Sequence, residues 1–243
     1  MRERPILLNV EMVRAVLDGR KTQTRRIMKV QPDSQGYGLR FITESFNNRE
    51  TGQYFWSQSD GCGTNKPRSK PFSCPFGAVG DRLWVRESFF EHGHWQGGGY
   101  DPEDSYFVSD KQVLYPADGI QRPSERKRED FWRSRPSIHM PRWASRITLE
   151  ITGVRVERLN SINEHDAIAE GLAEISKDGH TYKYGVPDRD GYPGTDDFGW
   201  PWHEWERYPI SAYSKLWKSI YGEESWQANP WVWVIEFKRV EGQ

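Results

Sequence analysis

In the run GRKTQTRR, residues 19–26, Lys21 and Thr24 stand three residues apart behind a glycine and among Arg20, Arg25 and Arg26. A neutral lysine amine within hydrogen-bond reach of a threonine hydroxyl can take its proton and turn the oxygen into a nucleophile. Neutrality requires burial or neighbouring cations, because an ordinary lysine gives up its proton only near pH ~10.4. The three arginines could supply that cationic field. The C-terminal dipole of a helix ending just before them works the other way and favours the charged amine. Two further uses fit the same residues: a grip for phosphate, and a solvated basic loop.

The carboxylates offer a candidate proton donor. Glu170 closes the segment SINEHDAIAEG. A helix C-terminus there disfavours negative charge by about 0.3–1 kcal/mol, which suits a donor, although an exposed helix residue is the commoner fate of glutamate. Glu87 and Glu91 follow a strand and could line the mouth of a barrel. Metal chemistry has a weaker basis. Cys62, Cys74, His92 and His94 could form a tetrahedral set, but the gap between the cysteines is not a zinc-knuckle spacing, and free thiols are expected. No G-x-S-x-G elbow, phosphate loop or dinucleotide fingerprint is present. Trp84, Trp143, Trp200, Trp202 and Trp205, interleaved with Arg and His, could stack on a nucleobase, a contact worth about 1–3 kcal/mol. Tryptophan this frequent is more often core than ligand platform.

These residues need elements to hold them. A helix is expected over 9–19, capped by Asn9, with Val10, Val13, Val16 and Leu17 on one face and Gly19 as its stop. The segment GAVGDRLWVRESFF gives a Gly80–Asp81 turn and a strand from about Asp81 to Phe89. The alternating run ASRITLEITGVRVERL is a long strand, or a strand pair bent at Gly153. A short helix follows, with Ser161 and Glu164 spaced as a capping box and Gly171 at its end. Ile210, Tyr213, Leu216, Trp217 and Ile220 give a better helix, stopped by Gly222. The last strand, NPWVWVIEFKRV, puts Trp231, Trp233, Ile235 and Phe237 on one face and Val232, Val234 and Glu236 on the other. Between these regions lie three polar stretches of little periodicity, at about 32–75, 91–136 and 174–209. They are expected as insertions on one small core at about 6–26, 81–90, 144–172 and 210–240, and the first carries a short hairpin around YGLRFITESF. The element order implies a single α+β domain, barrel-like in its sheet.

Composition narrows the class. The 12 Trp, 11 Tyr and 11 Phe exclude a disordered chain, despite only 35% hydrophobic residues. With 34 basic and 35 acidic side chains, any nucleic-acid contact must rest on a local patch rather than on total charge. Two cysteines are too few for a disulfide-stapled scaffold, and neither a membrane span nor a signal peptide is apparent. A cytoplasmic protein is the expectation.

Taken together, LDGRKTQTRR, GDRLWVRESF, ITGVRVERLNSINEHDAIAEGL and WVWVIEFKRV resemble the ASCH domain of the PUA-like superfamily. The similarity is to its longer, tryptophan-rich variety found in phage and prophage genomes. It covers about half the chain, and its most specific part is G-x-K-x-x-x-x-R, met by Gly19, Lys21 and Arg26. The resemblance implies a small β-barrel with flanking helices and a cleft at the G-x-K loop. Members of the family are linked to RNA binding and, in one case, to RNA cleavage. A small bacterial branch is an amidohydrolase that removes the acetyl group of N4-acetylcytidine with a Thr-Lys-Glu set and no cofactor. By similarity to that branch, Thr24, Lys21 and Glu170 are the catalytic residues. Arg25, Arg26, Trp84, Glu87 and Trp143 are the expected substrate contacts, and the ligand is a nucleoside or modified base. Arg25 stands where that branch has an apolar residue. The alternatives that the resemblance leaves open are a non-catalytic or RNA-cleaving module that binds RNA or a modified nucleotide, and a phage accessory protein acting through partners.

Overall fold

The computed structural model describes residues 1–32, 36–46, 49–58, 67–97, 105–124, 130–194 and 199–240. Its centre is a five-stranded mixed sheet of β1 (Glu3–Leu7), β2 (Gln23–Ile27), β5 (Arg82–Arg86), β9 (Thr148–Arg158) and β12 (Trp231–Arg239). The order is β1-β5-β9-β12-β2, with β1 parallel to β5 and the other pairs antiparallel. The fold is therefore α+β, with more strand than helix. β1 and β2 are the edges, and no ladder joins them among the described residues. The Arg26 side chain crosses between them, donating from Nη2 to the Leu7 carbonyl at 2.6 Å.

β12 explains why the sheet is covered on both sides. Its Trp231, Trp233, Ile235 and Phe237 pack with Ile6, Val13, Leu83 and Leu149. Its Val232 and Val234 pack instead with Leu159, Ala167, Tyr213 and Trp217. A strand apolar on both faces must be sandwiched. Helix α1 (Val10–Leu17) covers the first face, and α2 (Glu164–Ala169) with α3 (Pro209–Tyr221) covers the second. The long strand β9 is one strand with a bulge. Glu236 pairs with Gly153 and Phe237 with Ile151, which leaves Thr152 without a partner.

The helix ends follow from local chemistry. Asn9 caps α1, its Oδ1 accepting from the Met12 amide at 2.9 Å, and Gly19 takes the positive φ of +76° that ends it. For α2 the cap is Asn163, accepting from the Asp166 amide at 2.8 Å, and not Ser161. The chain first makes a 3-10 turn over Leu159–Ser161, so the helix starts later than the Ser161–Glu164 spacing predicts. Gly222, at φ +86°, ends α3, and a short α4 (Glu223–Gln227) follows. The strand expected to run to Phe89 breaks at Glu87, and β6 (Phe89–Gln96) continues in another sheet.

All three polar stretches carry strands. In the first, β3 (Gly38–Phe41) pairs with β4 (Tyr54–Ser57), and Trp56 is buried against Trp231 with ring centroids 5.2 Å apart. In the second, β7 (Tyr106–Leu114) and β8 (Asp130–Arg135) flank β6. In the third, β10 (Ala173–Ser176) pairs with β11 (Tyr182–Gly185), and Trp205 is buried with its indole N–H on the Trp200 carbonyl. Among the described residues no helix is long and apolar enough to cross a membrane.

Candidate active site

Every residue from Arg20 to Arg26 is tied to something specific, Thr24 to Ile235 across the β2–β12 ladder, and most of the other ties lead to the end of α2. Arg20 Nη1 donates to the Gly171 carbonyl at 2.6 Å. Lys21 forms a β-bridge with Glu170, and the Thr22 amide donates to the Ala169 carbonyl. Gln23 Nε2 reaches the Asp166 carbonyl at 2.6 Å. The approach is close because residue 171 is glycine. At its φ of +109°, a Cβ would stand 2.8 Å from Ala15 Cβ and 3.1 Å from Lys21 Cβ.

The result is a buried pair. Lys21 Nζ donates to Glu170 Oε2 at 2.8 Å and to the Glu170 carbonyl at 2.7 Å, with side-chain exposures of 0% for Lys21 and 3% for Glu170. Burial pushes the Lys21 amine below its ordinary value. Glu170 opposes the shift, while Arg26 and Arg25 add to it. Arg25 also shares the carboxylate, with Nη1 3.5 Å from Glu170 Oε1. A guanidinium does not give up its proton in a protein. Of the two cations on Glu170, Lys21 is therefore the one that can be neutral.

Arg25 belongs to a larger network. Its Nη2 bonds Asp166 at 2.8 Å and Glu157 at 3.1 Å. Arg155 closes the network on Asp166 at 2.6 Å, on Glu157 at 2.6 Å and on Glu236. Burial works against the Asp166 carboxylate, but Arg25 and Arg155 outweigh it and hold Asp166 below the usual range. This brace fixes where Glu170 points.

Two cavities meet at Glu170. One, of about 200 Å³, lies between α1, Glu170–Gly171 and two walls drawn from the polar stretches, namely Ala117–Asp118 and Val186–Arg189. Those walls are anchored: Arg146 holds both Asp118 carboxylate oxygens at 2.7 Å, and Arg189 Nη1 donates to the Gly119 carbonyl at 3.1 Å. The other cavity, of about 10 Å³, is lined by Thr24, Arg25, Glu170, Tyr213, Trp217 and Tyr221, among others. Met12, Glu170 and Leu216 wall both.

Of the residues expected at the site, Lys21 and Glu170 are in direct contact, and Thr24 shares its cavity with Glu170. Thr24 lies in the strand β2 rather than in a turn, and its hydroxyl makes no hydrogen bond to Lys21 among the described residues. The expected substrate contacts lie elsewhere or do other work. Arg25 is fully buried and braces Glu170. Arg26 bonds the Leu7 carbonyl and, at 3.3 Å, the Tyr221 hydroxyl. Glu87 is buried and paired through both oxygens with Arg146, at 3.0 and 3.2 Å, so it reaches the larger cavity only through Arg146 and Asp118. Trp84 lies beneath the Arg86 and Arg142 guanidiniums, and Trp143 is exposed; neither lines a cavity with Glu170. Met12, Asp118, Arg189, Tyr213 and Leu216 line the site without having been expected there. Tyr213 and Leu216 sit at helical spacing among apolar neighbours, a pattern that reads as core, and nothing in it points to a cavity.

Cys62 lies outside the described residues. Cys74 is buried in the core, which pushes its thiol up, and His92 and His94 face Asp110 and Asp130 on the β7-β6-β8 sheet. No protein-family model, curated protein or solved structure matches the chain.

Proposed function

We propose that this protein is a metal-independent amidohydrolase that removes an acyl group from an N4-acylated cytosine nucleoside or a related modified base, on an ASCH-type, PUA-like scaffold. The observation that carries the reading is the buried Lys21–Glu170 pair, 2.8 Å apart, beside the cavity that holds Thr24. A lysine sealed from water against one carboxylate, with an arginine sharing that carboxylate, is a proton-transfer device. The PUA-like reading of the sheet rests on its strand order and on Arg26 bridging β1 and β2 at the open seam.

In the proposed reaction the base and sugar occupy the cavity of about 200 Å³, and the acyl group reaches past Glu170 toward Thr24. Met12 and Leu216 stand between the two spaces, and rotation of the flexible thioether joins them. Thr24 Oγ attacks the carbonyl carbon while the neutral Lys21 amine takes the hydroxyl proton. That proton passes along the 2.8 Å contact to Glu170, which delivers it to the exocyclic nitrogen as the C–N bond breaks. Water, deprotonated by the same pair, then cleaves the acyl-threonine ester and restores Thr24. Arg25 keeps Glu170 oriented between these steps.

A nucleic-acid-binding module gripping phosphate with Arg20, Arg25 and Arg26 is the weaker reading. All three are already bonded within the protein, to Gly171, Glu170 and Leu7 among others. Incubation with N4-acetylcytidine, followed by separation of the products, tests the proposal. Wild type should release cytidine, and Lys21→Ala should do so about 10³-fold more slowly. Equal inertness of the two across a panel of acylated bases would contradict it.

A further inference from the structure

We propose that Tyr213 is a further catalytic residue of this site, its hydroxyl donating a hydrogen bond to the oxygen of the acyl group under attack. The inference rests on the reading above and deepens it. Tyr213 lies on α3 and is buried at 3% exposure, with its ring packed between Trp217 and Trp226. It lines the cavity of about 10 Å³ together with Thr24, Arg25 and Glu170. That volume holds one water-sized group, the size of a single carbonyl oxygen.

The hydroxyl is what the packing does not account for. It makes no hydrogen bond among the described residues, whereas Tyr221 on the same helix bonds Arg26. A phenylalanine would fill the same space against the two tryptophans, so packing alone does not call for a hydroxyl on this cavity wall. The hydroxyl therefore has work to do when the cavity is occupied. Burial and the neighbouring Glu170 carboxylate push the phenol well above its ordinary value, so it remains a donor across the physiological range.

When Thr24 Oγ bonds to the carbonyl carbon, the π pair of the C=O moves onto oxygen, and that oxygen accepts from Tyr213. The pair returns as the C–N bond breaks. Tyr213 keeps its proton throughout, while the Thr24 proton travels through Lys21 and Glu170 to the leaving nitrogen. A donor fixed beforehand where charge develops lowers the barrier more than the same bond in water.

Steady-state kinetics of Tyr213→Phe on N4-acetylcytidine test this. The variant should lose about 100-fold in kcat with KM within about twofold of wild type, the split expected of a bond made in the transition state. An unchanged kcat, or a loss confined to KM, overturns the assignment and leaves the amidohydrolase reading standing. A wild type inert on every acylated base overturns both. Should Tyr213→Phe melt well below wild type, 3-fluorotyrosine at position 213 decides instead. It keeps the ring, and its more acidic phenol should raise kcat; an unchanged kcat then overturns the proposal.

Discussion

Lys21 shows how little of a residue's chemistry resides in its type. The same amine that would be a solvated cation four residues after the end of α1 is here sealed from water against Glu170. The Arg25 and Arg26 charges lie close enough to help burial pull it below its ordinary 10.5. In the proposed reaction the neutral amine accepts the Thr24 proton, so activity should grow as pH rises through the lowered value. The profile of kcat/KM should climb with pH and level off before pH 10.5. A rate that falls with rising pH, or that climbs until the ordinary lysine value, would contradict the role given to Lys21. The arginines of the same run were the harder residues to read. Sequence presents Arg25 as a loop cation free for a substrate, but it braces a carboxylate that lies 145 residues away. Its partners Asp166, Glu157 and Glu170 belong to another part of the chain, and spacing within one segment carries no trace of them.

At the scale of elements, the site is the seam between the start of β2 and the end of α2, and Gly171 is what allows the two to close. Gly171→Ala should cost about 1–3 kcal/mol from its φ of +109°, before any contact is counted. The added Cβ would also press on Ala15 and on Lys21, moving Lys21 off Glu170. Thermal unfolding should show the loss of stability, and turnover should fall together with it. A variant as stable and as active as wild type would mean that the close approach is not needed. The elements themselves were largely legible. Asn9 and Gly19 bracket α1, and the apolar spacing from Ile210 to Ile220 marks α3. The alternation in β12 assigns its two faces as they are found. Ser161 misled because a 3-10 turn intervenes before α2, and only a backbone geometry, not a residue pattern, distinguishes Ser161 from Asn163 as the cap. Tyr213 was legible as part of a helix face but not as a cavity wall, since both uses require the same burial.

At the scale of the molecule, the polar stretches build part of the site as well as the surface. Ala117–Asp118 from one and Val186–Arg189 from another close the larger cavity over α1, and the Arg146–Asp118 and Arg189–Gly119 contacts lock those walls together. Weak periodicity hid this, because walls of short turns carry no repeating apolar signal. Only the resemblance joined Glu170 to Lys21 and Thr24, because the Lys21–Glu170 contact spans 149 residues of chain and no spacing within one segment carries it. The account stands most directly on Thr24 as the nucleophile. Mixing the protein with N4-acetylcytidine, quenching in acid and mapping the peptides by mass should find one acetyl group on the peptide carrying Thr24, absent in Thr24→Ala. Cytidine released with no such adduct, and undiminished in Thr24→Ala, would contradict it.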